Sequence, residues 1–97
     1  MSVIWKYSVP FGDEITIPLP GASEPLAVQM QDGVPMLWVK VATGIEPRPH
    51  IFRWVATGQT VTGGSFVGTL RYGWLLCHLF FTVGLGECRA VNGPASA

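Results

Sequence analysis

The stretch Gln31-Asp32-Gly33-Val34 constrains this chain more than any other, because Asp-Gly between two alternating apolar runs specifies a two-residue β-hairpin loop. Both loop residues of a type I′ turn take positive φ, which glycine adopts freely and aspartate tolerates better than most residues. The turn sets a register. Gln31 falls opposite Val34, Met30 opposite Pro35, Gln29 opposite Met36, Val28 opposite Leu37, Ala27 opposite Trp38 and Leu26 opposite Val39. Successive side chains of a strand point to opposite faces. One side of the ribbon therefore reads Leu26, Val28, Met30, Leu37, Val39, Val41, and the other reads Ala27, Gln29, Gln31, Met36, Trp38, Lys40. The first is expected to face a core and the second to face outward.

The same punctuation runs through the chain. Short runs of β-branched and aromatic residues are separated by Gly or Pro, the pattern of a small all-β protein. Ser2 to Val9 and Glu14 to Pro18 read as strands joined by a Phe11-Gly12-Asp13 turn, and a hairpin between them is expected. Leu19 to Pro25 and Thr43 to Pro49 are rich in breakers and read as loops. His50 to Thr57 alternates again, with apolar residues on both sides. After a glycine-rich excursion over Gly58 to Ser65, Phe66 to Arg71 and Trp74 to Val83 form a last hairpin across Tyr72-Gly73, pairing Leu70 with Leu75 and Gly68 with Cys77. No segment carries an apolar stripe of helical period. The expected fold is an antiparallel sandwich or partly open barrel of six to seven short strands, one domain over 1–83, followed by an irregular extension over 84–97.

Ninety-seven residues support a single modest core. The chain is 48% hydrophobic and 12% charged, about half the usual charge content. So few charges cannot cover the surface, which points to apolar area buried against a partner or another copy. Six basic and six acidic residues cancel, and no run of like charge occurs. Nucleic-acid binding, which needs several cations on one face, is disfavoured. Cys77 and Cys88 are the only cysteines, and the N-terminal Met-Ser-Val-Ile-Trp-Lys-Tyr lacks the pattern of a signal peptide. Free thiols and a reducing cytoplasm are expected. The longest apolar run, Trp74 to Val83, is too short to cross a membrane as a helix.

The order of motifs also carries a likeness. Ile4-Trp5-Lys6-Tyr7, the Val28 to Trp38 hairpin, Phe52 to Gly58, Val67-Gly68-Thr69 and Leu76 to Phe81 together resemble a family of small uncharacterised proteins encoded by bacteriophages and by genomes carrying prophages. The resemblance spans most of residues 3 to 81. It implies a phage origin, an accessory role and the cytoplasm of a bacterial host. It implies no catalytic residues.

The residues capable of chemistry are few. His78 lies in an apolar strand and could titrate near neutrality, but a single histidine there is more simply structural. Cys77 and His78 are adjacent, so in a strand they point to opposite faces and can neither chelate one ion nor form a nucleophile and base pair. No ligand pair has metal-binding spacing, and Thr62-Gly63-Gly64-Ser65 lacks the lysine of a phosphate loop. Neither metal nor cofactor is expected, and enzyme activity is the weakest class.

Binding is the stronger class. Met36, Trp38 and Lys40 on the outward side of the Asp-Gly ribbon, with Arg53, are the residue types that protein interfaces concentrate. Trp74, Leu76, His78 and Phe80 share one side of the last strand and form the expected self-association surface of a homo-oligomer. The leading functional expectation is a phage-type accessory protein, a non-catalytic module that binds a host or phage protein and inhibits, for instance, a host defence protein. The alternative is a small virion structural or assembly protein. A nucleic-acid binder using its aromatics comes third.

Overall fold

The computed structural model describes residues 1–12 and 14–84. The extension expected over 84–97 lies, beyond Gly84, outside the described residues, as do Cys88 and Asp13. Seven strands form: β1 (Ser2–Ser8), β2 (Ile15–Pro20), β3 (Glu24–Gln31), β4 (Val34–Ala42), β5 (Pro47–Ala56), β6 (Ser65–Tyr72) and β7 (Leu75–Val83). They make two antiparallel sheets, ordered β1-β4-β3 and β2-β5-β7-β6, which pack as a sandwich and do not close into a barrel. No described residue is helical.

The Asp-Gly turn does what its composition dictates. Asp32 has φ of 52° and Gly33 of 81°, and the register runs as expected from Gln31↔Val34 to Ala27↔Trp38. There it slips. Pro25, not Leu26, stands opposite Val39, and Glu24 stands opposite Lys40. Proline explains the bulge: unslipped, Pro25 would occupy a hydrogen-bonded site facing Lys40, where it has no N–H to give. One extra residue hands that site to Glu24.

The expected β1–β2 hairpin does not form. β1 pairs with β4 and β2 with β5, so consecutive strands belong to different sheets. The Val9 N–H donates to the Pro35 carbonyl (2.9 Å) and keeps the end of β1 in the first sheet, while Pro10 offers no donor to continue the ladder. The chain then crosses between layers. Phe11 packs on Trp54 and Tyr72, with ring centroids 4.7 and 4.6 Å apart, and the Trp54 indole Nε1–H donates to the Val9 carbonyl (3.0 Å).

Residues read as loops prove to be strand at three places, one of them Glu24-Pro25, which opens β3. β2 continues to Pro20, and β5 begins at Pro47, with Pro18↔Pro49 and Pro20↔Pro47 directly opposite. The Gly21 N–H bond to the Glu46 carbonyl (3.1 Å) shows which pairs exchange hydrogen bonds, and the proline pairs are the others. Spaced by two, all four prolines sit where no β2–β5 bond is missing. The last hairpin is also displaced by two residues. Gly73 and Trp74 form its loop, Gly73 supplying φ of 61°, and Tyr72↔Leu75, Leu70↔Cys77 and Gly68↔Leu79 replace the expected pairs. An even shift leaves every side chain on its expected face.

Val9, Leu19, Leu37, Val39, Val41, Phe52 and Leu79 are fully buried between the sheets, joined by Tyr7, Ile17, Val28, Trp54 and Cys77. One edge of the sandwich is closed by a near touch of β3 and β6. A Cβ on Gly68 would lie 2.9 Å from Val28 Cγ1, so only glycine permits that approach.

Candidate functional site

With the core enclosed, each sheet keeps one outer face, and the two are built differently. On the three-stranded sheet, the pairs Ile4↔Lys40, Lys6↔Trp38 and Ser8↔Met36 place these side chains outward with Gln29 and Gln31. Polar bonds run across this face. Lys6 Nζ donates to Gln31 Oε1 (2.9 Å), Lys40 Nζ lies 3.7 Å from Glu24 Oε2, and Met36 is only 8% exposed. Trp38 is half-buried.

Of the four residues expected to bind a partner, Met36, Trp38 and Lys40 therefore share this face, but Met36 is withdrawn and Lys40 is engaged. Arg53 does not join them. It lies on β5, on the outer face of the other sheet, where its Nη2 and Nε reach Glu14 Oε2 at 3.0 and 3.2 Å. The expected four-residue patch is thus divided between opposite sides of the sandwich, because β5 belongs to the second sheet.

The outer face of β2-β5-β7-β6 mixes large apolar side chains with Arg53, His78, Thr69 and Arg71. Val55↔His78 and Arg53↔Phe80 on β5 and β7, and Phe66↔Phe80 on β6 and β7, put Ile51, Val55, Leu76, Phe80 and Phe66 on one surface. Phe66 is 59% exposed and meets Phe80 edge to face at 5.6 Å. Leu76, His78 and Phe80 of the expected self-association set belong to this face, while Trp74 stands at the hairpin tip, 87% exposed. Sequence reasoning missed Ile51, Val55 and Phe66. For Ile51 and Val55 the signal was the two-sided apolar alternation of the β5 segment, which called for a second covering layer.

At the middle of this face His78 is fixed from both sides. Thr57 Oγ1 lies 2.9 Å from Nε2 and Thr69 Oγ1 lies 2.8 Å from Nδ1, the latter directly cross-strand. Both ring nitrogens are engaged by neutral hydroxyls. The arrangement makes His78 a held polar point on this face, suited to orienting a partner. Cys77, on the alternate parity, is a buried free thiol in the core.

His50 contrasts with it. Fully buried on the inner face, it donates Nδ1–H to the Arg48 carbonyl (2.9 Å), stacks on Phe81 with centroids 6.4 Å apart, and leaves Nε2 without a partner. Burial pushes its pKa below the ordinary 6.5, against a smaller upward effect of the Arg48 hydrogen bond. Among the described residues no three His, Cys, Asp or Glu side chains are grouped to hold a metal ion. Among the described residues no helix is long and apolar enough to cross a membrane.

A family model described as Domain of unknown function (DUF7352) matches residues 1–86. No curated protein and no solved structure matches the chain.

Proposed function

We propose a role for this chain on the premise that it belongs to the family described as Domain of unknown function (DUF7352): it is a non-catalytic module that binds a protein partner on the outer face of β2-β5-β7-β6. The observation that carries the reading is that Ile51, Val55, Leu76, Phe80 and Phe66 share this outer face, with Phe66 and Leu76 exposed and His78 held at its middle. Exposed apolar residues gathered on one face mark interaction sites when they form a patch. Arg53, opposite Phe80 and paired with Glu14, adds a charged group within this face, a residue type that interfaces concentrate. The likeness of the motif order to phage and prophage proteins supports a partner in the bacterial cell, with inhibition of a defence protein as its concrete form.

The test is affinity capture from bacterial lysate, followed by binding of the purified captured protein. Leu76→Ser and Phe66→Ser alter exposed residues and are expected to weaken that binding at least about tenfold, in line with truncation of interface anchors. Trp38→Ala is expected to leave it unchanged. Binding that survives both serine variants and disappears with Trp38→Ala would move the site to the other sheet.

A further inference from the structure

A sandwich of two open sheets has four edge strands, and each unpaired edge offers N–H and C=O groups to any extended chain that meets it. Three of the four are blunted here. β3 and β6 abut one another at Val28 and Gly68, and each carries a bulge, between Pro25 and Ala27 and between Phe66 and Gly68. β2 is blunted by proline: the bonded pairing of Gly21 with Glu46 directs the even-numbered backbone groups of β2 toward its free side, and two of these residues are Pro18 and Pro20.

β1 has none of these devices. Over Ser2–Ser8 it contains no proline, no glycine and no bulge, and its register with β4 is unbroken. The Thr43 N–H bond to the Met1 carbonyl (3.0 Å) and the Val9 N–H bond to the Pro35 carbonyl show that odd-numbered residues of β1 exchange hydrogen bonds with β4. The backbone groups of Ser2, Ile4, Lys6 and Ser8 therefore point to the free edge. Among the described residues none of them makes a loop or turn hydrogen bond. Ile4 is 61% exposed. Lys6, the one charge of the strand, does not guard the edge, because its ammonium is drawn across the sheet to Gln31.

We propose that β1 is a docking edge for the β1 strand of a second copy of this chain, paired antiparallel about a two-fold axis at Trp5. The sequence of the strand argues for this occupant. An axis at Trp5 sets Ser2 opposite Ser8 and Ile4 opposite Lys6 of the partner, so all four outward-directed residues of each strand exchange hydrogen bonds and the two lysines avoid one another. On the inner side Val3 falls opposite Tyr7, and the two Trp5 rings meet as a non-hydrogen-bonded pair, the closer cross-strand geometry and one that favours aromatics. Moving the axis to Lys6 would shorten the ladder and set like charges face to face. The result is a single six-stranded sheet, β3-β4-β1-β1-β4-β3, with β2-β5-β7-β6 of each copy left to its own partner.

The experiment combines solution mass with amide exchange on the full chain. Sedimentation across a hundredfold range of concentration is expected to show a monomer–dimer equilibrium. As the dimer fills, the Ile4 and Lys6 amides become protected, whereas those of Val3, Trp5 and Tyr7 are protected at every concentration because they donate to β4. Ile4→Pro removes one outward donor without touching the β4 ladder, so it is expected to abolish the dimer and leave the thermal midpoint of the monomer within a few degrees. Leu76→Ser is expected to leave the dimer intact. A monomer at all concentrations overturns the proposal, and so does a dimer that persists in Ile4→Pro or disappears in Leu76→Ser.

Discussion

The two outer faces of the sandwich are made of strands of similar length, yet they meet solvent in opposite ways. On β1-β4-β3, long polar side chains lie across the sheet and tie to each other, Lys6 to Gln31 and Lys40 to Glu24, and Met36 is withdrawn among them. On β2-β5-β7-β6 Arg53 ties to Glu14, but the polar side chains bonded around the centre of the face are short. Thr57 and Thr69 hold His78, Thr57 also donating to the Leu76 carbonyl (3.5 Å), and Phe66, Leu76 and Phe80 remain at the surface. A sheet face is finished by the reach of its side chains as much as by their polarity, since Lys stems cover apolar neighbours while their heads stay paired or hydrated.

Met36→Ala gives the hardest blow to this contrast. If the first face behaves as a minor second core, the substitution costs about 2 kcal/mol, at the low end for buried Met to Ala, while Leu76→Ala on the second face costs under about 1 kcal/mol. Urea midpoints of the two variants decide it, and equal losses would erase the distinction.

The two histidines extend the comparison to pH. His50, inside the second sheet, has its pKa lowered by burial, so between its folded value and the ordinary 6.5 the unfolded chain binds more protons than the folded one. Its contribution is complete above pH 6.5 and declines as the pH falls below that value. His50→Gln should flatten the slope of urea stability between pH 7 and 5, and an unchanged slope would mean that other groups set it. The smallest effect belongs to Glu24→Gln. The Lys40–Glu24 pair is more than half exposed on both sides, and its loss should change stability by under about 0.5 kcal/mol, read from the same urea midpoints.

What could be read beforehand follows the range of each interaction. The β3–β4 hairpin was legible because Asp32-Gly33 fixes its register locally, and the all-β class because alternation and punctuation repeat along the chain. Pro47 and Pro49 misled, since the cost of a proline in a ladder depends on which way its missing N–H points, a fact set by the partner strand. The β1–β2 hairpin misled for a related reason: alternation identifies a strand but not the neighbour it will choose. Arg53 was joined to Trp38 by residue type, and only the topology shows that they lie on opposite layers. Leu76, His78 and Phe80 share a side by strand alternation alone, and the even displacement kept the β6 side chains on their expected faces beside them.

The separation of β1 from β2 has a further consequence, for the order in which the molecule can be made. The first twenty residues leave the ribosome before either of their partners exists: β1 waits for β4, ending at Ala42, and β2 waits for β5, ending at Ala56. Only β3–β4 and β6–β7 can close as they emerge. β1 and β2 thus emerge before the strands that receive them, and their pairings close only over long stretches of chain.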